Sequence, residues 1–232
     1  MAQKPAGRTV RNPWAKISEV GPFVLAEDLP FIKAMNATLR KSPDHQIREN
    51  LPPNPFAGPA YAPVVLLLAN PGFHEEDIAE QTTPEALPII LDAIRKPAGT
   101  PFWPLMPYFQ GTRANLWWIP KTRDLASEVG GYASLSERLQ SIELHGYHSV
   151  KWTAPLRNFP SQDYGFELVR RAMDRGALII VCRAQRYWYS SVPGLMTYSR
   201  QVRGLASSRS AFLSRKNLGS HYRTVVRALR AE

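Results

Sequence analysis

Asn70-Pro71-Gly72-Phe73 is the segment of this chain best suited to chemistry. An Asn side chain offers an acceptor and donors, enough to orient a water or to read the edge of a flat heterocycle. Pro71 fixes the turn, and Gly72 lets backbone approach a ligand closely. The same residues also suit a plain strand-to-loop turn, so what precedes them matters. Val64 to Ala69 is an uninterrupted apolar run, as expected of a central strand in a parallel sheet covered on both faces. Ligands of open α/β sheets bind beyond the carboxyl ends of such strands, which is where Asn70 falls.

Other candidates share that edge. His145-Gly-Tyr-His148-Ser149 closes a second expected strand, Ile142 to His148. His148 can bind phosphate or act as acid or base near neutral pH, with Tyr147 and Ser149 adding polar groups. A hydrogen-bonded structural histidine is the alternative, above all for His145. Arg183 follows a third apolar run, Ala177 to Cys182. With Arg186, Tyr187, Trp188 and Tyr189 it forms a basic-aromatic cluster that can stack on unpaired bases or pack a helix on the sheet; packing is expected of Trp188. Glu143, Glu75, Glu76 and Asp77 make no paired-carboxylate pattern. Cys182 is the single cysteine, and His-x-x-His gives two ligands at most, so no metal site is expected. Gly-rich nucleotide loops and a Gly-x-Ser-x-Gly elbow are absent from the sequence, and no organic cofactor is expected either.

The elements that must position these residues alternate. Residues 1–25 read as a basic N-terminal arm and 26–232 as one domain. Asp28 caps a helix to about Leu39, and Ser42 to Pro63, with six prolines, reads as an extended loop. Helical patterns cover Thr83 to Arg95, 113–128, 134–140, a stretch capped by Ser161-Gln-Asp163 and stopped by Gly176, Ala184 to Ser191, and about Ser220 to Arg230. A short strand falls near Met196 to Arg200. Strands alternating with helices predict a doubly wound α/β fold: three layers, α/β/α, around a central, mostly parallel four-stranded sheet.

Net charge is +10, and ten Arg and Lys residues lie between Arg183 and the end against Glu232 alone. A field of that sign attracts polyanions, although a solvated basic helix would have the same composition. The basic N-terminus has no apolar run, and the longest apolar stretch is too short to cross a bilayer. With one cysteine the chain suits a reducing compartment, so a soluble, cytoplasmic, monomeric protein with no membrane partner is expected.

Val64-Val-Leu-Leu-Leu-Ala-Asn-Pro-Gly-Phe73 resembles the first motif of the uracil-DNA glycosylase superfamily, most closely the mismatch-specific uracil/thymine branch. The resemblance implies that Asn70 positions the attacking water and that Pro71, Gly72 and Phe73 shape a base pocket. Gly99-Thr-Pro-Phe102 is similar to the superfamily's Gly-x-Pro-Phe segment, which implies that Phe102 stacks on a flipped base. The spacing from Asn70 is longer than usual and implies an inserted helix. The last motif of the superfamily reads like His-Pro-Ser. Here Ala206 to Gly219 takes its place without that triplet and offers Ser207, Ser208, Ser210, Arg215 and Asn217.

The combined expectation is a DNA glycosylase-like protein that flips a base and hydrolyses its N-glycosidic bond, with Asn70 and His148 catalytic. DNA would be held by Arg183, Arg200, Arg203, Arg209, Ser214, Arg215, Lys216 and Asn217. The rivals are a catalytically inactive nucleic-acid-binding member of the same fold, and an α/β enzyme for a small anionic substrate centred on His148 and Arg183.

Overall fold

A computed structural model describes residues 10–203, 205–207 and 211–231. Its frame is a five-stranded mixed sheet: β1 (Phe56–Ala57), β2 (Val64–Leu67), β3 (Leu139–Ile142), β4 (Leu178–Val181) and β5 (Gln201–Val202), in the order β1-β3-β2-β4-β5. The pairs β3–β2, β2–β4 and β4–β5 are parallel, and β1 joins β3 antiparallel. Five strands replace the four expected. The extra one is two residues long and emerges from the proline-rich loop, where missing N–H donors leave no room for a longer run and the sequence shows no alternation to betray it.

β2 is wholly buried and supplies both cores. Val64 and Leu66 face a cluster with α3 (Ala86–Arg95), α4 (Arg113–Glu128), α9 (Tyr222–Arg230) and the aromatic loop at 102–109. Val65 and Leu67 face the other way, onto α1 (Leu29–Thr38), α6 (Gln162–Asp174) and α7 (Gln185–Ser191). The period of two along a strand sends alternate residues to opposite faces, so each face of the sheet carries a packed layer. No described helix is long and apolar enough to cross a membrane.

Three sequence expectations change here. Residues 10–25 are not an arm: Trp14, Ile17, Phe23 and Leu25 are buried, and Asn12 Nδ2 donates to the Ile94 carbonyl at 2.8 Å. Residues 1–9 lie outside the described part. The second strand ends at Ile142 rather than beginning there. It starts at Leu139, inside the helical pattern read over 134–140, which closes early as α5 (Tyr132–Ser136). Residues 143–149 then run as a buried, irregular path across the sheet's carboxyl edge. Gly146 makes that path possible: a Cβ there would lie 2.7 Å from Pro55 Cβ and 2.9 Å from its backbone. Finally, Asp28 and Ser161 sit at helix starts but make no side-chain caps. The Asp28 carboxylate instead accepts from the Tyr147 hydroxyl (2.7 Å) and the Ser161 N–H (3.0 Å).

Candidate functional site

In the sheet order, β2 lies between β3 and β4, which follow it in sequence on opposite sides. The chain therefore switches direction at the carboxyl end of β2, where α/β folds leave a crevice. A cleft of about 320 Å³ opens there, at the small end of ligand sites and suited to one compact planar molecule. Asn70 to Phe73 come to it from β2, Glu143, His148 and Ser149 from the path after β3, and Arg183 from β4. Asp77 and Gln81 reach it from α2 (Glu75–Gln81), and Arg113, Trp117 and Trp118 from the first turns of α4. Trp103 and Trp152 complete an aromatic wall.

Asn70 is half-buried, and its Nδ2 donates to Ser149 Oγ and to the Pro71 carbonyl, both at 2.9 Å. Ser149 Oγ donates onward to the Lys151 carbonyl at 3.0 Å, which fixes the hydroxyl as an acceptor for Asn70. With Nδ2 committed, the amide is oriented, and its Oδ1 accepts no hydrogen bond among the described residues. Such an acceptor can receive an O–H from water or an N–H from a ligand. Gly72 is exposed, and a Cβ there would meet nothing within 4 Å, so the turn leaves open space for a ligand. Phe73 is half-buried under the Arg48 guanidinium, 5.1 Å from its ring centroid.

His148 lines the cleft but braces it. Nδ1 faces the Gly72 carbonyl at 2.6 Å and Nε2 the Pro52 carbonyl at 3.0 Å. Burial lowers its pKa, while those carbonyls and Asp77 pull the other way. The neutral ring that burial favours donates to one of these carbonyls, and the other carbonyl covers the second nitrogen, so His148 holds the Asn-Pro-Gly turn against the proline loop and turns neither nitrogen to a substrate. Phe102 is likewise moved out of its expected role. It is 0% exposed, meets Trp118 edge to face with centroids 4.8 Å apart, and does not line the cleft. The next residues, Trp103 and Pro104, do, because the loop turns into a short 3₁₀ segment at Trp103.

The expected DNA face comes apart. Arg183 is exposed at the cleft. Arg203, just past β5, turns back onto Gln201 Oε1 (3.0 Å) and the Met196 carbonyl. Arg200 precedes β5, so in a parallel sheet it lies at the opposite, amino edge. Ser214 caps α8 (Arg215–Leu218) by accepting from the Asn217 N–H at 3.2 Å. Asn217 is buried, accepting from Ser207 N–H (2.7 Å) and donating to the Phe212 carbonyl (2.7 Å). Both serve the loop, not a ligand. Arg215 pairs with Glu128 and lies over the Tyr222 ring. Glu128 is eleven residues along α4 from Trp117, about 16 Å at the helical rise. Lys216 is exposed on α8; Arg209, Ser208 and Ser210 fall outside the described residues.

Sequence reasoning missed the four tryptophans and set aside Glu143. Among the described residues, five buried polar atoms on the cleft wall have no hydrogen-bond partner: Asn54 Oδ1, Gln81 Oε1, Trp103 Nε1, Glu143 Oε2 and Trp152 Nε1. Unpaired buried polar atoms are rare in native proteins and mark places that something else completes. Glu143 is 7% exposed. Burial pushes its pKa up to about 8, with Arg183 pulling it down. At the rim, the Lys121 amine stands 3.8 Å from the Trp117 centroid and 5.1 Å from that of Phe212. Burial first, then Arg183, lowers its pKa to about 8. Beside Trp152, Tyr187 stacks edge-on at 5.6 Å and carries the Arg186 guanidinium at 4.8 Å, while Trp188 is fully buried and donates to the Leu68 carbonyl. No group of three or more His, Cys, Asp or Glu among the described residues is placed to hold a metal.

The geometry defines an α/β protein with a small, tryptophan-walled, carboxyl-edge cleft under cationic side chains. Compared with protein-family models, with curated proteins and with solved structures, the chain matches none.

Proposed function

We propose that this protein is a DNA glycosylase-like enzyme that takes one extruded nucleobase into the cleft and hydrolyses its N-glycosidic bond. The observation that carries the reading is Asn70. Its amide is clamped through Nδ2 by Ser149 and Pro71, at the mouth of a cleft the size of one planar ring. Base extrusion is required because the glycosidic bond is inaccessible in stacked DNA. Trp103, Trp117, Trp118 and Trp152 offer faces and edges for the flipped base. Asn70 Oδ1 accepts a hydrogen bond from water and so aims the water's lone pair at the sugar carbon. Preorganisation of this kind acts without reorganisation cost when the bond breaks. Arg183 neutralises a flanking phosphate, and the Arg186–Tyr187 pair extends the binding track. The parallel strands β3, β2, β4 and β5 with helices on both faces support the resemblance of the Val64–Phe73 segment to the uracil-DNA glycosylase superfamily.

The rival reading built on His148 and Arg183 loses its base, since both His148 nitrogens face backbone carbonyls. The experiment is release of labelled base from oligonucleotides carrying uracil, mismatched thymine or other single lesions. Release of any of these above a protein-free control is expected. Salt-dependent DNA binding with no release from the whole panel would instead favour an inactive binding protein.

A further inference from the structure

Glu143 lines the same cleft, and the reading above gives it no task. It follows directly on β3, so it shares the carboxyl edge with Asn70. Its backbone N–H is tied to the Pro55 carbonyl at 2.9 Å, which fixes the stem of the side chain. The residue is more than nine-tenths buried. Its Oε2 is sealed from solvent and has no hydrogen-bond partner among the described residues. The ionisable neighbours are Cys182 and Arg183 after β4, Asp77 on α2, Arg113 on α4, and His145 and His148 on its own path. Of these, Arg183 acts on the carboxyl through its charge, while Arg113 pairs with Glu76 and both His148 nitrogens face backbone carbonyls. A buried acid with an oxygen that its own protein leaves without a hydrogen bond is set up to meet a ligand.

We infer that Glu143 is the general acid of this cleft, hydrogen-bonding the bound heterocycle through its own proton and giving that proton up as the bond to the sugar breaks. The inference rests on the base-excision reading. In the step, the C1′–N bond breaks and its electron pair goes to the base. The Glu143 O–H breaks as its proton passes to a nitrogen or carbonyl oxygen of that base. The water held by Asn70 adds its oxygen to C1′, and the proton it loses restores the Glu143 acid. One water is consumed, and one free base and one sugar hydroxyl are formed. Because burial holds the acid protonated up to about pH 8, the donor form prevails at neutral pH, where a general acid must work.

The test pairs two readouts. The first is base release by the wild type and by Glu143→Gln between pH 7 and pH 9. The second is quenching of the cleft tryptophans by free cytosine and free adenine, neither of which titrates in that window. Release by the wild type is expected to fall about tenfold over the window, as the acid form is lost across one pH unit on either side of its midpoint. Glu143→Gln keeps a hydrogen-bond donor but no transferable proton. It should lose about 100-fold in release while binding the free bases with no dependence on pH. Undiminished release by Glu143→Gln, or wild-type quenching that is flat from pH 7 to pH 9, overturns the inference and leaves base excision standing. No release by the wild type, together with quenching that weakens with pH only when Glu143 is present, refutes excision and upholds the proton contact with the heterocycle.

Discussion

Asp28 and Glu143 are both buried carboxyls, and the chain treats them in opposite ways. Asp28 spends both oxygens on the fold: one accepts from Tyr147, the other from the Ser161 N–H, and Tyr147 in turn accepts from the Leu25 N–H at 3.3 Å. Through them the N-terminal segment, the path after β3 and the start of α6 are locked together. Burial raises the Asp28 pKa, but these hydrogen bonds oppose the rise. At Glu143 burial is opposed only by Arg183 at a distance. A satisfied buried acid is part of the scaffold, whereas an unsatisfied one lowers stability and is kept for what binds to it. Glu143 and Tyr147, the partner of Asp28, both belong to the 143–149 path, so one short segment serves both purposes.

That contrast can be broken at either carboxyl. Asp28→Ala strands the Tyr147 hydroxyl and the Ser161 N–H, and should cost about 3 kcal/mol in denaturant unfolding. A loss no larger than that of a surface substitution would remove the distinction. Glu143→Gln should do the reverse. The folded-state pKa is raised above its usual value of 4.5 to about 8. The wild type therefore loses stability as pH rises from about 4.5 to 8, because the unfolded chain ionises and the folded one does not. The Gln variant should match the wild type near pH 4.5 and exceed it by on the order of 4 kcal/mol near pH 8. Equal stability at both pH values would mean that Glu143 has a partner.

The glycines sharpen the same comparison at smaller scale. Gly146→Ala presses a methyl into Pro55 and should cost about 2 kcal/mol, which thermal unfolding would register. Gly72→Ala meets only open space, so its melting temperature should stay put while base release falls. The smallest effect separates the two basic regions. Arg183→Ala should reduce the slope of DNA affinity against salt by about one counterion. Arg215→Ala removes a side chain that sits with Glu128 at the end of α4 away from the cleft and should leave that slope unchanged, and an equal drop for both would restore the C-terminal segment as the DNA face.

Much of the scaffold was legible because it rests on local patterns. The apolar runs at Val64 and Ala177 became β2 and β4, and Gly176 with a positive φ of 77° ends α6. The Asn70 turn was legible too, since a strand end in a parallel sheet has a known place. What escaped depends on contacts distant in sequence. Nothing near Phe102 reveals that its ring packs on Trp118 while Trp103 takes the cleft wall. The role of His148 is set by carbonyls 76 and 96 residues away. Clustered arginines gave the sign of the field but not its placement, because strand polarity sends Arg200 to the far edge and Glu128 captures Arg215. Glu143 looked unpaired in sequence and was set aside for lacking a second carboxylate; its isolation is what gives it a function.

The most direct measurement is single-turnover base release by Asn70→Ala, made alongside its affinity for the same oligonucleotide. An oriented amide that acts only on the reacting water predicts release reduced at least about 100-fold with affinity within about twofold of the wild type. Release at the wild-type rate would make Asn70 a mere brace of the turn, and the cleft would need another chemistry.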